Sequence, residues 1–284
     1  MDIAPLVAKE HRSVRDWRCS HSSIGIDPEY RQQLISLSRR GWAWEFMRRN
    51  PEYGIAYNLR LAVPSEPATK WGLLHFVDPG LTSQNADVFW RSEDCTEVLP
   101  MAVSCETLVT GATLNLDTLS CRVVFAADTK GVRRDILFRQ DGRFLQLAIF
   151  GDGDLKEANL VVAALGDPSS VMARTASLRR LNDLLSNKTM RAALYPQESR
   201  APRLIKLLIA LDGWLAQMPQ REIAILMFSE SRVKREWNDP REHLRDQVRR
   251  AIAYGQELMN GGYRQFLRLT FARRIAARQG APRA

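Results

Sequence analysis

Cysteine and histidine are scarce and scattered. Four cysteines (Cys19, Cys95, Cys105, Cys121) and four histidines (His11, His21, His75, His243) are spread over 284 residues without a Cys-x-x-Cys pair, so the spacing of a structural zinc site is missing. The cysteines are expected to be reduced, as cytosolic thiols are. A Cys105–Cys121 pair across strands has nothing in the sequence to support it. No apolar run approaches the roughly 18 residues of a membrane span. Met1-Asp2-Ile3-Ala4-Pro5 puts an acid where a secretion signal needs bases and is not followed by an apolar region. There is no Walker loop and no dinucleotide fingerprint, and Ser20, Ser22 and Ser23 beside His21 lack a nucleophile elbow. Gly151-Asp-Gly-Asp lacks the later ligands of a calcium loop and reads as a turn. These absences lead to an expectation of no catalytic residues, no metal, no cofactor and no membrane partner.

What the chain does have is charge in one place. Residues 199–284 carry 17 Lys and Arg against 8 Asp and Glu, whereas residues 1–198 carry 24 of each, so the whole net charge of +9 belongs to the last third. A neutral body with one basic helical end is the charge layout of a nucleic-acid binder.

Hydrophobic spacing divides the rest. Residues 1–25 form a polar arm with Trp17 as an anchor. Pro28 to Asn50 reads as helical, starting at Asp27-Pro28 and broken near Gly41, and a further helix runs through Tyr53 and Tyr57. Trp42, Trp44 and Phe46 read as the core of a small helical domain, with a stacking or docking patch as the other reading. The flanking Arg39, Arg40, Arg48 and Arg49 either touch DNA or acidic partners or form a solvated face. Strands are expected at Lys70–Phe76, Val98–Val103, Cys121–Ala126, Asp135–Arg139, Arg143–Phe150 and Leu160–Leu165, with Asp141-Gly142 as a hairpin turn. They make a central antiparallel sheet or barrel. Ser169–Ser186 is helical, and Pro196–Pro202 is a linker.

The basic end holds the helices Arg203–Met218, Gln220–Phe228, Ser231–Trp237 and Arg241–Met259, then Tyr263–Arg278. Ile223 and Met227 should face inward beside the small Ala224, and Trp237 should plug the core. On the helix 241–259, Leu244, Val248, Ala251, Ile252, Gly255, Leu258 and Met259 share one face, opposite Glu242, Asp246, Arg249, Arg250, Ala253 and Glu257. Arg245 and Gln256 flank the polar face. Arg and Gln are the side chains that read guanine and adenine edges in the major groove. Asn260-Gly261-Gly262 ends the helix. Arg264, Arg268, Arg273 and Arg274 suit phosphate contacts, which position a protein without reading sequence.

Four ordered blocks here carry a resemblance: Leu208-Ile-Ala-Leu-Asp-Gly-Trp-Leu-Ala, Arg221-Glu-Ile-Ala, Leu244-Arg-Asp-Gln-Val-Arg-Arg-Ala and Gly261-Gly-Tyr-Arg-Gln-Phe-Leu-Arg. Over about 200–268 the chain resembles the DNA-binding domain family of type VI secretion transcription factors, whose relatives also regulate integrative and conjugative elements. Gly41-Trp-Ala-Trp-Glu-Phe-Met-Arg-Arg-Asn-Pro-Glu-Tyr resembles the small transcriptional-regulator-like domain that often precedes it. The resemblance implies a bacterial transcription factor with a C-terminal helix-turn-helix, and a DNA-facing role for Arg245, Arg249 and Arg250. Relatives are more basic after the Val-Arg-Arg block, where this chain has Ala251, Ala253 and Tyr254.

The expected architecture is α+β. It has an N-terminal helical domain (1–64), a central β-rich domain with a following helix (65–195) and a C-terminal helix-turn-helix domain (196–284). The expected function is sequence-specific regulation of transcription, as an activator, for a secretion system or mobile element. The DNA-binding residues would be Arg241, Arg245, Arg249, Arg250, Gln256, Arg264, Arg268, Arg273 and Arg274. Partners would be double-stranded DNA, further copies of the chain, and RNA polymerase or another regulator. The location would be cytoplasmic, at the nucleoid. The other reading is an antagonist or co-regulator that binds a regulator of its own family instead of DNA.

Overall fold

The computed structural model describes residues 27–60, 67–104, 116–127, 133–151, 159–162, 170–239 and 243–268. The N-terminal arm with Trp17, the Cys105 thiol and the acidic part of the Gly151 turn lie outside them, as do residues 269–278 of the last expected helix. The described chain is α+β and falls into two compact units. One comprises Pro28–Ile205 with the described residues from Gln256 onward, and the other is Lys206–Gly255. Among the described residues no helix is long and apolar enough to cross a membrane.

The first unit opens with α1 (Pro28–Ile35), α2 (Arg39–Met47) and α3 (Pro51–Leu59). The break falls at Ser36–Ser38, and Gly41 sits inside α2, contrary to the expected break there. The glycine serves a close approach: a Cβ on Gly41 would lie 2.8 Å from Ser83 Oγ. Asn50 caps α3, its side chain accepting from the Glu52 and Tyr53 N–H groups, with Pro51 in the first turn.

Helix α2 is buried along nearly its whole length, including Arg40 and Glu45, with Arg48 and Arg49 just beyond it. Trp42, Trp44 and Phe46 are core residues. Arg40, Arg48 and Arg49 are buried and do not form a solvated face, and Arg39 is half-buried. Arg48 and Arg49 close on Glu45 at 2.7 and 2.8 Å, while Arg39 donates to the carbonyls of Gln265, Phe266 and Arg268. Tyr30 donates its hydroxyl to Glu45 Oε2 at 2.7 Å, and the Ser83 N–H donates to Oε1 at 2.8 Å. The net thus ties α1, α2 and the 79–83 loop to one carboxylate, with Arg48 also donating to Pro79 O at 3.0 Å.

The expected strand at Lys70–Phe76 is instead a 3-10 turn, Ala68–Trp71, followed by a loop with a single bridge between Leu73 and Trp90. Gly72 at φ +76° turns the chain out of a strand path. The sheet has the order β2-β3-β4-β1-β5, with β1 (Leu99–Ser104), β2 (Arg122–Ala127), β3 (Arg133–Gln140), β4 (Arg143–Phe150) and β5 (Asn159–Val162). Three of its four pairings are antiparallel, and β1–β4 is parallel. Asp141 and Gly142, both at positive φ, make the tight β3–β4 turn. Ile136, Phe138, Leu145, Leu147 and Ile149 pack with Leu181 and Leu184 of α4 (Val171–Asn187). The expected linker at 196–202 is in part helical, because α5 (Ala201–Leu215) starts within it.

Burial pushes the Glu45 carboxyl up, but the guanidiniums of Arg48 and Arg49 and the two hydrogen bonds outweigh this and hold its pKa at about 2, below the ordinary 4.5. The resulting stabilisation is complete above about pH 4.5 and is lost as the pH falls towards 2. It amounts to about 3 kcal/mol. Thermal melts at pH 5 and pH 3 should show a clear fall in midpoint for the native chain and a much smaller fall for Glu45→Gln. At pH 7 that variant should be destabilised by about 3–5 kcal/mol, since it leaves two buried cations without their anion.

Candidate nucleic-acid interface

The unit Lys206–Gly255 is built by four helices: most of α5, then α6 (Gln220–Met227), α7 (Glu230–Glu236), and α8 (His243–Met259) up to Gly255. Gln217, at positive φ, turns the chain after α5, and Pro219 leads into α6. Small residues set the packing distances. A Cβ on Gly213 would lie 2.7 Å from Ile223 Cγ1, and one on Gly255 would lie 3.1 Å from Leu211 Cβ and 3.2 Å from Leu207 O. Helices α6 and α8 therefore both approach α5 through a glycine. Ile223, Ala224 and Met227 are buried on α6, as the spacing predicts, and Leu244, Val248, Ala251 and Ile252 are buried on α8.

Packing that face of α8 leaves Arg249, Arg250 and Ala253 exposed on the other side. Asp246 lies on the same side. It forms an ion pair with Arg249, whose hydrogen bond holds the Asp246 carboxyl below the usual carboxylate range. Arg250 Nε donates to Asp246 O at 3.3 Å. Arg245 is half-buried. Its Nε donates to Trp237 O at 3.0 Å, and its guanidinium lies 5.6 Å from the Trp237 ring centre. Trp237 is itself half-buried, a platform for Arg245 and not the core plug the sequence suggested. Its ring is half solvent-facing because Val233, one turn earlier, fills the buried position of α7.

A second cationic group was not legible in the sequence. Lys206 Nζ and Arg232 Cζ lie 5.0 and 4.8 Å from the Phe228 ring centre, at the two-residue turn between α6 and α7. Arg221, Lys234 and Arg235 are exposed on these two helices. The pairs Glu230–Lys234 and Arg232–Glu236, each at 2.9 Å, follow the i,i+4 rule and were readable from spacing. The convergence of Lys206 on Phe228 was not, because 22 residues separate them.

The remaining expected contacts lie in the other unit or outside the described chain. Gln256 is half-buried on α8. After Asn260 the chain forms a 3-10 turn, Gly262–Phe266, where a regular helix was expected. Gly261 adopts φ +120°, and a Cβ on Gly262 would lie 2.7 Å from Glu257 O. Arg264 donates to Lys70 O at 2.6 Å and lies over Tyr263, while Arg268 is exposed. Tyr263 and Phe266 are buried, Phe266 stacking on Phe46 with ring centres 6.0 Å apart. Arg241, Arg273 and Arg274 lie outside the described residues.

Comparison with known families now gives the class. Residues 26–75 match the family described as proteobacterial transcriptional regulator-like domain. Residues 163–268, which include all four helices of the unit 206–255, match the family described as T6SS, transcription factor, DNA binding domain. The two matches support a DNA-binding transcriptional regulator, and they fall on the two families that the sequence blocks resemble. No curated protein and no solved structure matches the chain.

The glycine contacts give a direct test of how the unit is built. Gly213→Ala forces a methyl group into Ile223 and should destabilise the protein by about 1–3 kcal/mol, the usual range for overpacking. Chemical denaturation of the variant measures it, and Ile223→Val in the same chain should return part of the loss.

Proposed function

We propose that this chain is a sequence-specific DNA-binding transcriptional regulator, an activator, serving a bacterial secretion system or a mobile genetic element. The observation that carries the reading is α8. One face is packed against small and apolar neighbours, and the other leaves Arg249 and Arg250 exposed in the segment matched by the DNA-binding family. In this reading α6, the two-residue turn and α7 act as a helix-turn-helix with α8, and α8 presents its arginines to base edges. Arg245 is held by Trp237 and positions the face. Gln256 extends the contact on the same helix, Arg241 adds a further DNA contact, and Arg264, Arg268, Arg273 and Arg274 serve phosphates. The chain then acts as a homo-oligomer, since single units of this kind need a second half-site for operator affinity. RNA polymerase or another regulator is the protein partner, and the site of action is the nucleoid in the cytoplasm.

Asp246 favours a second reading, in which the chain sequesters another regulator of its family. An acid paired to Arg249 weakens the positive field that a phosphate backbone needs. The two readings separate on the native chain and two variants. DNA selection with the purified chain at about 150 mM salt, where non-specific binding is weak, should enrich a few sites sharing a repeated half-site. Arg249→Ala with Arg250→Ala should then weaken the selected site by about tenfold or more, since each good base contact is worth about 1–3 kcal/mol. Asp246→Ala should tighten it several-fold by removing an anion from the face. No enrichment, with Asp246→Ala silent on DNA, would favour the sequestering reading.

A further inference from the structure

Three side chains of the unit 206–255 converge at the turn between α6 and α7. Phe228 closes α6, its N–H donating to Ala224 O at 3.0 Å, and Ser229 opens α7, its hydroxyl accepting from the Arg232 N–H at 3.3 Å. Capped on both sides, the turn holds the Phe228 ring in a fixed place. Lys206 reaches the ring from α5 and Arg232 reaches it from α7, with Nζ and Cζ 5.0 and 4.8 Å from its centre. The two charges are therefore no more than about 10 Å apart, within roughly one Debye length at 0.1 M salt, so they repel each other. Lys206 is exposed, and Arg232 shares Glu236 in a pair at 2.9 Å with both side chains 39% exposed. An exposed pair of this kind is weak and gives way to a stronger anion.

An aromatic ring attracts each cation singly. It also orders both long side chains in advance, so an anion that meets them finds less rotamer freedom left to remove. Such an anion relieves the repulsion as well. Its source follows from the place of the ring in the unit. Phe228 and Trp237 flank α7, and Trp237 carries Arg245, with Arg249 one turn further along α8. Seven helical residues span about 10 Å, close to the roughly 12 Å width of the major groove. A cation pair at that distance from a base-reading face meets the rim of the groove, where the phosphates lie. We infer that Lys206 and Arg232, ordered by Phe228, form a clamp for a backbone phosphate of duplex DNA beside the groove that α8 enters. The clamp rests on the reading of α8 as the base-facing helix. It carries no sequence information, since every nucleotide presents the same phosphate, and it sets affinity, register and salt dependence.

The test uses the full chain and a duplex carrying a site recovered by DNA selection, with binding followed by fluorescence anisotropy from about 50 to 200 mM salt. Lys206→Met and Arg232→Met keep the apolar stems and remove the charges. Each should flatten the logarithmic salt slope by about 0.9, the share of one phosphate contact, and leave the ranking of single-base changes in the site as it is in the native chain. Phe228→Leu keeps both charges but not the ring, and should weaken binding about two- to fivefold, the worth of a cation–π contact. Native slopes in both charge variants overturn the clamp and leave the reading of α8 standing. So does a changed base ranking in either, or native affinity in Phe228→Leu. A native chain that binds no duplex overturns the reading of α8 and the clamp with it. Lys206→Met, at an exposed position, decides the matter even if Arg232→Met, which also loses its pair with Glu236, does not fold.

Discussion

The carboxylate of Glu45 is where the first unit is joined. It is fully buried, and it receives hydrogen bonds from the side chains of Tyr30, Arg48 and Arg49 and from the backbone of Ser83. Each partner comes with an element attached: Tyr30 brings α1, the arginines fix the end of α2, and Ser83 brings the long loop. An ion group of this kind is weak evidence for net stability, because desolvation offsets most of the attraction. It is strong in another sense, since any arrangement that misplaces one member strands a charge in the core. The aromatic residues of α2 then have one available packing. Trp44 donates to Leu81 O at 2.9 Å, and Phe46 stacks on Phe266.

The unit 206–255 follows the opposite plan. Its interior is apolar and its close approaches depend on Gly213, Ala224 and Gly255. Its charged side chains stay at or near the surface, where they pair locally as Glu230–Lys234, Arg232–Glu236 and Asp246–Arg249. Exposed pairs of this kind contribute little to stability. They are therefore free to exchange a carboxylate partner for a phosphate without loss to the fold. A helix face that reads nucleic acid needs that freedom, and the buried arginines of α2 do not have it.

Much of this was legible in the sequence, and the failures have physical causes. The 3.6-residue spacing of Leu244, Val248 and Ile252 fixed both the helix and its inner face, and Asp141-Gly142 named the hairpin turn. The strand expected at 70–76 failed because β-like composition was read without the left-handed Gly72 beside it. The fate of Arg40, Arg48 and Arg49 was hidden because a run of arginines reads as surface. The anion of Arg48 and Arg49, Glu45, was in plain sight three and four residues earlier, but spacing alone does not say that the whole cluster is buried. The parallel β1–β4 pair was also beyond local reading, since nothing in either strand marks its partner. On α8 the spacing identified the exposed Arg249 and Arg250, whereas Trp237 beneath Arg245 and Phe228 beneath Lys206 and Arg232 emerged only from tertiary packing.

The position of β1 between β4 and β5 also has a consequence for how the chain is made. Leu99–Ser104 leaves the ribosome about forty residues before Arg143–Phe150, the strand it must lie beside. At about 5–20 residues per second of synthesis, this apolar strand waits for several seconds without either neighbour. The β3–β4 hairpin closes locally and fast, whereas insertion of β1 is a long-range closure and comes late. During translation β1 is the segment most exposed to wrong strand pairing, and the one a chaperone has most reason to hold.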